Sequence, residues 1–408
     1  MVTLKSFLGM IAAVPFIMAC NQTGQVNATL FPASGSENVN PDTHLVLTFS
    51  ETPVLGDSGM IRVYDAVTDQ VVDSLDLSIP SGPTESRTYG PECDYTKVPY
   101  DYTRTVVPTN KDTRPGTPSG TAEPTPPVYQ LTIIGGFTDA FHFYPVIVRD
   151  SIATIYLHNN MLEYGHTYYV TIDNGVLNLA DGSFQGVTKE DEWTFTTKSD
   201  MPELSDTLIV DATGKGDFNT VQGALDFIPD FNEQQTVILV NPGDYEELVY
   251  TRNKWNVKIK GAGMADTKVH YANNEVFNPH PLTVKTNEWP GTFPSRRAAF
   301  MLDNCKDIVI EDMTIATDLK GQAEGLLING ERIALYRVHI IGSGDALQAN
   351  GTIYMESCEL DGGGDTILGR GSLFAYKSNF RNGGGPFSWV RNTAGNHGNV
   401  FVECTFST

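Results

Sequence analysis

Two aspartates in glycine-rich turns have the residue type and spacing that could do chemistry. Asp345 lies in the segment 344–347 (GDAL), and Asp365 lies 20 residues later in the segment 364–369 (GDTILG). When two carboxyl groups share one site, their repulsion raises the pKa of one of them, so one can act as an acid while the other acts as a nucleophile or base. Such a pair can hydrolyse an ester. The alternative is that the two side chains only form hydrogen bonds within their own turns.

The chain around these aspartates repeats itself, which predicts how they are positioned. Apolar residues occupy alternate positions in five segments, whose starts lie 25, 20, 20 and 27 residues apart: 306–310, 331–335, 351–355, 371–375 and 398–402. This period predicts the rungs of a parallel β-helix, in which apolar side chains stack on their equivalents above and below. A leucine-rich repeat has a similar period, but its L-x-x-L-x-L-x-x-N frame and its helices are not found. In a β-helix the two aspartates would stack on one face, with about 5 Å between rungs.

A second domain is predicted ahead of the repeat. Short alternating strands from 28 to 198 predict a β-sandwich, which makes the chain all-β apart from one helix. Residues 81–127 interrupt the sandwich without clear periodicity and predict a long insertion, interpreted as a solvated loop or, alternatively, as a sugar-contacting surface. The second domain, 205–408, opens with a helix predicted over 221–228, which could cap the β-helix.

The N-terminus has the features of a secretion signal. Residues 1–19 contain Lys5 and an apolar run that is too short to span a bilayer comfortably, which predicts a signal peptide. The run ends in IMAC, which resembles the bacterial lipobox, so Cys20 is predicted to be lipidated. The alternative is an ordinary signal peptide with an incidental cysteine. We therefore expect a protein of the bacterial cell envelope, periplasmic or on the outer surface, that contacts the membrane only through its lipid anchor.

Charge and cysteine spacing exclude several classes of partner. A formal net charge of −22 argues against nucleic acid and anionic membranes. None of the remaining cysteines has the C-x-x-C spacing of a zinc site, so no metal and no cofactor is predicted. Three of them occupy similar places in the repeated segments and are predicted to be buried, unpaired thiols. The four cysteines are Cys93, Cys305, Cys358 and Cys404.

A series of motifs in a fixed order resembles the pectinesterase family of carbohydrate esterases. The domain start at 211–222 looks like the family's opening, and the other segments are similar to its G-x-Y-x-E segment, the glycine turn that follows it, and its Q-A-V-A-L, Q-D-T-L and D-F-I-F-G motifs. These segments are, in order, 237–247, 257–263, 321–323 (GQA), 344–347 and 365–369 (DTILG). The resemblance implies a right-handed parallel β-helix. Both ends of the sandwich, in turn, resemble bacterial Ig-like domains.

The resemblance implies a role for each residue of the site. Asp365 would be the nucleophile that attacks the C6 methyl-ester carbonyl of a galacturonosyl residue. Asp345 would be the acid that protonates departing methanol and then the base that activates water. Gln322 would donate a hydrogen bond to the oxyanion, although an amide in a turn can instead satisfy backbone groups. The partner would be methylesterified pectin, whose neutral esters are not repelled by an acidic protein.

The sequence departs from the family in two places. Gly344 stands where the family has a second glutamine, and losing an oxyanion donor typically costs about 100- to 1,000-fold in rate. The family's later L-G-R-P-W motif is not found, so Arg370 or Arg391 is the candidate for its arginine and Trp389 for its sugar-stacking tryptophan. The alternatives are solvent-facing arginines and a packed tryptophan. We accordingly expect a β-helix that is truncated at the C-terminus, as in a fragment of a longer enzyme.

Two other kinds of function compete with ester hydrolysis. One is a non-catalytic pectin-binding or surface adhesion protein, which Gly344 and the expected early end of the β-helix favour. The other is a different β-helix enzyme, a polygalacturonase or a pectate lyase. The sequence lacks the Gly-His-Gly segment usual in the first, and no calcium cluster with a basic residue, as the second needs, is visible.

Overall fold

A computed structural model of the chain describes residues 26–84, 129–136, 141–204, 207–278, 296–392 and 394–408. The predicted signal peptide, Cys20 and Cys93 lie outside the described residues. So does the predicted insertion from residue 85 to residue 127. The structure therefore tests the two predicted domains but not the secretion signal or the insertion.

Two larger β-sheets with a shared core and two small two-stranded sheets form the N-terminal part. Its strands are β1 Thr29–Phe31, β2 Ser36–Val39, β3 Leu45–Thr48, β4 Val54–Leu55, β5 Met60–Asp65, β6 Gln70–Asp76, β7 Leu131–Thr132, β8 Phe141–His142, β9 Val146–Arg149, β10 Ile152–Ile155, β11 Thr167–Ile172, β12 Leu177–Asn178 and β13 Thr194–Thr197. One larger sheet has the order β1-β3-β10-β9 and the other the order β2-β13-β11-β5-β6, and the small sheets are β4-β12 and β7-β8. Alternate residues of β3, β5 and β11 are buried in one cluster, as in a β-sandwich. That this sandwich is Ig-like stays a prediction.

The C-terminal part is a parallel β-helix, which confirms the predicted fold. Its strands belong to one 17-stranded sheet in which each strand pairs in parallel with a strand of the next rung. They are β14 Thr207–Val210, β15 Thr236–Val240, β16 Gly243–Glu246, β17 Val249–Arg252, β18 Trp255–Lys260, β19 Thr267–Tyr271, β20 Phe300–Thr317, β21 Leu326–Ile341, β22 Leu347–Ala349, β23 Thr352–Glu356, β24 Glu359–Gly362, β25 Ile367–Gly369, β26 Ser372–Tyr376, β27 Asn379–Asn382, β28 Ser388–Val390, β29 Asn399–Val402 and β30 Thr405–Ser407.

A short helix, α1 (Val221–Phe227), covers the first rungs of the β-helix and agrees with the predicted helix to within one residue. Thr220 caps it, because its hydroxyl accepts a hydrogen bond from the backbone N–H of Gly223. Val221 and Leu225 are buried in the β-helix core. Within the described ranges, no helix has the length and apolarity needed to cross a membrane.

The predicted rung register holds for four rungs and is wrong for the last. Ile333 pairs with Ile308 on one side and with Ile353 on the other, and all are buried, as the repeat predicts. The prediction placed Val400 on Leu373, but Leu373 pairs with Asn399. Since a shift of one residue exchanges the two faces of a strand, Val400 points outward and is 43% exposed.

The aromatic residue next to Val400 explains this shift. In the observed register Phe401 pairs with Ala375 and packs against the β-helix core. Its ring also meets that of Phe380 edge to face, with 5.4 Å between centroids. Burying Phe401 removes more apolar surface from water than burying a valine would, so the larger side chain takes the inward position.

Three cysteines lie in the described part of the β-helix, and all three are free thiols. Cys305 and Cys358 are buried, whereas Cys404 is partly exposed. Burial raises the pKa of the Cys305 thiol to about 12 and that of Cys358 to about 11. The prediction of buried, unpaired thiols is thus confirmed for two of the three, and their raised pKa values make them unreactive.

The sandwich part covers the first rungs on one face of the β-helix. Tyr250, Met301 and Leu327 occupy paired positions in successive rungs of this face, in β17, β20 and β21. All three are fully buried in a cluster with Ile134 and Phe141 from the sandwich part. The same face continues through β22, β25 and β28, so the covered rungs lie directly before those that carry the two aspartates.

Candidate active site

Asp345 and Asp365 lie at equivalent positions of successive rungs, as the sequence predicts. Each stands two residues before a strand, β22 or β25, and the first residues of these strands, Leu347 and Ile367, pair with one another. The backbone N–H of Asp365 donates a hydrogen bond of 3.0 Å to Oδ1 of Asp345. The two residues are only 7% and 9% exposed, so these two aspartates are largely shielded from water.

A third carboxylate, Glu324, belongs to the same column. It stands two residues before Leu326, the first residue of β21, and Leu326 pairs with Leu347. Glu324 is fully buried, with 0% exposure. Our sequence analysis missed it, although it lies 21 residues before Asp345, which is close to one rung period. Acidic residues at rung spacing were the signal that could have found it.

Arg297 joins three of the site residues. Its Nε donates to the two carboxylate oxygens of Glu324, at 2.8 and 2.9 Å. Its Nη2 donates to Oδ2 of Asp345 at 3.0 Å, and its Nη1 donates to Oε1 of Gln322 at 2.5 Å. A second acid, Glu275, lies 3.8 Å from Nη1. The sequence analysis missed Arg297 because it stands before β20, outside the repeated segments.

The surroundings of the two aspartates differ in charge. Burial, followed by the negative charge of Glu324, raises the pKa of Asp345 to about 6, while Arg297 opposes the rise. Burial also raises the pKa of Asp365, but there the charges of Arg391 and Arg297 oppose it. Asp345 is therefore the residue of the pair that keeps a proton to higher pH and can donate it as an acid. Asp365 is the residue whose carboxylate form the nearby cations stabilise.

Gln322 is exposed beside the aspartates, and its amide is oriented by a side chain rather than by its own turn. Its Oε1 accepts the hydrogen bond from Arg297, while its backbone carbonyl accepts one from the N–H of Glu275. Since the acceptor end of the amide faces Arg297, the NH₂ group is the end that can donate elsewhere. An amide held in this way suits the predicted donation to an oxyanion.

Gly344 occupies the predicted place of the missing glutamine, and its surroundings account for the glycine. A Cβ atom added at Gly344 would lie 2.8 Å from the carbonyl oxygen of Gly321 and 3.0 Å from Cα of Gln322. Real Cβ atoms do not approach backbone this closely, so a larger residue would force the turn apart. The turns of adjacent rungs are thus packed too tightly for a second glutamine at this position.

Trp389, Arg391 and Arg370 lie at the later rungs of the same face. Trp389 in β28 is 54% exposed rather than packed in the core, and the guanidinium of Arg391 lies 4.8 Å from the centroid of its ring. The N–H of Arg370 donates to Oδ1 of Asn350 at 3.1 Å. Arg391 thus lies close enough to Asp365 for its charge to act on that carboxyl group, and the ring of Trp389 lies against Arg391. The substrate-binding role of the three residues stays a prediction.

One group of side chains in the described residues has the composition of a metal site. Atoms of Glu246, His270 and Asp318 lie within 4.8 Å of one another. The Nδ1 of His270 is 2.5 Å from Oδ2 of Asp318, and Arg149 of the sandwich part forms two hydrogen bonds with the carboxylate of Glu246. The guanidinium of Arg149 supplies a positive charge here, so these contacts form an ion-pair network at the junction of the two parts.

Comparisons with known proteins show what this chain is similar to. The family model described as Pectinesterase matches residues 207–382. Among curated proteins, Pectinesterase QRT1 of Arabidopsis thaliana is 31% identical over 170 residues, which are 40% of this chain and 43% of that protein. Pectinesterase 31 of Arabidopsis thaliana is 29% identical over 165 residues, 39% of this chain and 51% of that protein. The chain thus spans about half the length of the curated relatives it matches.

Solved structures of similar proteins carry the same description. Pectin methylesterase from carrot is 20% identical, with 51% of this chain and 66% of that chain covered and a TM-score of 0.42. Pectin methylesterase PemA from Erwinia chrysanthemi is 17% identical, with 50% and 67% covered and a TM-score of 0.40. Fold and site together define a parallel β-helix protein with a paired-carboxyl site. Residues 207–382 are similar to the pectinesterase family.

Proposed function

We propose that this protein hydrolyses the C6 methyl esters of galacturonosyl residues in pectin, yielding pectate and methanol. The observation that carries the proposal is the stacked pair of Asp345 and Asp365, joined by a hydrogen bond and surrounded by different charges. The match of residues 207–382 to the Pectinesterase family model and the names of the relatives support the substrate class. No step of this chemistry requires a metal or cofactor.

The first half of the reaction forms an acyl-enzyme. The carboxylate of Asp365 attacks the ester carbonyl, and the amide NH₂ of Gln322 donates a hydrogen bond to the oxyanion of the tetrahedral intermediate. The intermediate collapses by breaking the bond to the methoxy oxygen. Asp345, whose pKa is raised to about 6, gives its proton to that oxygen and methanol departs. The product is an anhydride between Asp365 and the galacturonosyl carbonyl.

The second half releases the free acid. Asp345, now a carboxylate, takes a proton from a water molecule while the water oxygen attacks the galacturonosyl carbonyl of the anhydride. The bond to the Asp365 oxygen breaks, which regenerates the carboxylate of Asp365 and leaves Asp345 protonated for the next cycle. Each aspartate therefore ends in the state in which it began, as a catalyst must.

Residues at the later rungs supply a surface for the sugar chain. Trp389 offers an exposed aromatic ring, on which the apolar face of a pyranose ring can stack. Arg391 lies against this ring, and Arg370 donates to the carbonyl oxygen of Arg391 at 3.4 Å. In a chain with a net charge of −22, these two arginines offer local positive charge to an acidic polysaccharide.

Methanol release by the purified chain tests the proposal. We expect methanol from highly methylated pectin, a matching increase in free carboxyl groups, and no new reducing ends or unsaturated products. Demethylated polygalacturonate serves as the substrate control and should yield no methanol. New reducing ends or unsaturated products without methanol would identify a polygalacturonase or a lyase instead and would reject the proposal.

Binding without turnover is the second candidate function, and Gly344 favours it. Glycine has no side chain to supply a second oxyanion donor, and such a donor is typically worth about 100- to 1,000-fold in rate. A protein of this kind would bind methylated pectin saturably and release no methanol over hours. The methanol assay, run beside a pectin-binding measurement, therefore separates the two functions.

We also propose that the protein is lipid-anchored at Cys20 in a bacterial cell envelope, because the segment before Cys20 resembles a lipobox. Mass spectrometry of the protein purified from membranes is expected to show residues 1–19 removed and a diacylglyceryl group on Cys20. The Cys20→Ala variant should lack the modification and leave the membrane fraction. A mature protein with an unmodified cysteine would contradict the anchor.

A further inference from the structure

Arg297 and Glu324 form a buried ion pair next to the two aspartates. The guanidinium contacts both oxygens of Glu324, one oxygen of Asp345 and the side-chain oxygen of Gln322. The side chain of Glu324 is fully buried and that of Arg297 is 15% exposed. A buried charge pair of this kind is costly in desolvation, so its presence beside the candidate acid and the candidate oxyanion donor calls for a reason.

We propose that Arg297 and Glu324 act together as positioning residues. Arg297 holds Asp345 and Gln322 in place, and Glu324 balances the charge of Arg297 so that Asp345 can still carry a proton. The inference rests on the proposed esterase function, since it assigns the pair to the acid and the oxyanion donor of that reaction. It adds two residues to the site that the motif resemblance does not include.

The geometry explains why an arginine holds this position. A guanidinium presents five N–H donors in one plane, and here the Nε, Nη1 and Nη2 atoms serve three different residues. The bond from Nη1 fixes the acceptor end of the Gln322 amide, which sends its donor end to the other side. A lysine has a single ammonium on a flexible stem and cannot fix three partners in this way.

The charges explain why Arg297 needs Glu324. An arginine beside Asp345 alone would stabilise the carboxylate and oppose its work as an acid. Three charged residues face Asp345 from neighbouring rungs: Glu324, Arg297 and Asp365. Glu275 adds a further negative charge 3.8 Å from Nη1 of Arg297. Burial, followed by the negative charge of Glu324, therefore keeps the pKa of Asp345 raised despite its hydrogen bond to Arg297.

A charge-neutral variant separates this role from simple structural support. The value of kcat/KM covers the steps up to the departure of methanol, for which Asp345 must be protonated, so kcat/KM falls as pH rises through its pKa. In Glu324→Gln the charge of Arg297 is no longer balanced, which lowers the pKa of Asp345. We expect the upper limb of the pH profile of kcat/KM to move down by about one pH unit or more.

The control is Asp307→Asn, which also removes a carboxylate that bridges rungs to an arginine. Asp307 pairs with Arg332 on the exposed surface, at 2.6 and 2.5 Å, and belongs to the same β20–β21 rungs. Its pH profile should match that of the wild-type protein. If the upper limb of the Glu324→Gln profile also lies at the wild-type pH and only the size of kcat/KM falls, the pair has a merely structural role and the proposal is overturned.

A second variant and a direct titration cover the remaining outcomes. Arg297→Lys keeps the positive charge but loses the planar guanidinium with its several N–H donors. We therefore expect the upper limb of its kcat/KM profile to stay within about half a pH unit of the wild type, while kcat/KM falls at least about tenfold.

The pKa of the Asp345 carboxyl can also be measured directly by ¹³C NMR in the wild type and in Glu324→Gln, with Asp345→Asn used to assign the signal. A lower pKa of Asp345 in Glu324→Gln supports the positioning role of Arg297 and Glu324 even if no methanol is released. In that case only the proposed esterase function fails. An unchanged pKa overturns the pair in either case.

Discussion

Replacing Asp365 with asparagine is expected to reduce methanol release from methylated pectin by at least about 1,000-fold. Asparagine has nearly the same shape and keeps the backbone N–H that donates to Asp345, so the turn should remain intact. The amide nitrogen is not a nucleophile, however, and the anhydride cannot form. Initial rates of methanol release at equal protein concentration measure the effect, with circular dichroism as the check on folding.

Asp361→Asn is the matched control for this substitution. Asp361 lies four residues earlier, in β24, and its carboxylate pairs with His339 and Arg381 rather than with the site residues. Removing its charge should leave methanol release within about twofold of the wild type, because exposed ion pairs contribute little. If Asp365→Asn and Asp361→Asn have the same activity, Asp365 is not the nucleophile and the reaction scheme is wrong.

The paired aspartates were predictable because a β-helix turns sequence period into spatial proximity. A spacing of 20 residues equals one rung, and the strands that follow Asp345 and Asp365 pair directly. The same logic extends to Glu324, whose spacing of 21 residues escaped notice because its turn is one residue longer. Neighbours along the helix axis can therefore be found from sequence wherever the rung length is nearly constant.

Arg297 was not predictable by this logic. It reaches Glu324, Gln322 and Asp345 through a long side chain, and its own position before β20 carries no repeat signal. Its partners are separated from it by between 25 and 48 residues. Side-chain length and direction, which a period does not contain, decide these contacts. The prediction of the β29 register was wrong for a related reason. Whether Val400 or Phe401 points into the core depends on how each side chain packs.

The sandwich part affects the site because it covers a face of the β-helix next to the site. Phe141 is fully buried against Tyr250, with 4.5 Å between ring centroids. The guanidinium of Arg296 also lies 4.0 Å from the centre of the Phe141 ring, which is a cation–π contact. Arg296 directly precedes Arg297, so an aromatic residue of the sandwich part supports the chain segment from which Arg297 enters the site.

We therefore expect Phe141→Ala to destabilise the β-helix as well as the sandwich, by about 3–5 kcal/mol, because it leaves a cavity and removes the aromatic face from Arg296. Amide hydrogen exchange followed by mass spectrometry can locate the effect, since exchange reports local opening. Exchange should become faster in β17 and in the first residues of β20, next to the cavity. Methanol release should also fall, since Arg297 loses the support of its neighbour.

Phe184→Ala provides the comparison, because Phe184 is a buried phenylalanine of the sandwich core that packs edge to face on Phe49. Its loss should cost a similar free energy but accelerate exchange only within the sandwich strands, leaving β17 unchanged. If Phe141→Ala also affects the sandwich alone, the covering segment does not stabilise the β-helix. If both variants accelerate exchange in β17 equally, the two parts unfold as one unit, and the support of Arg297 cannot be assigned to Phe141.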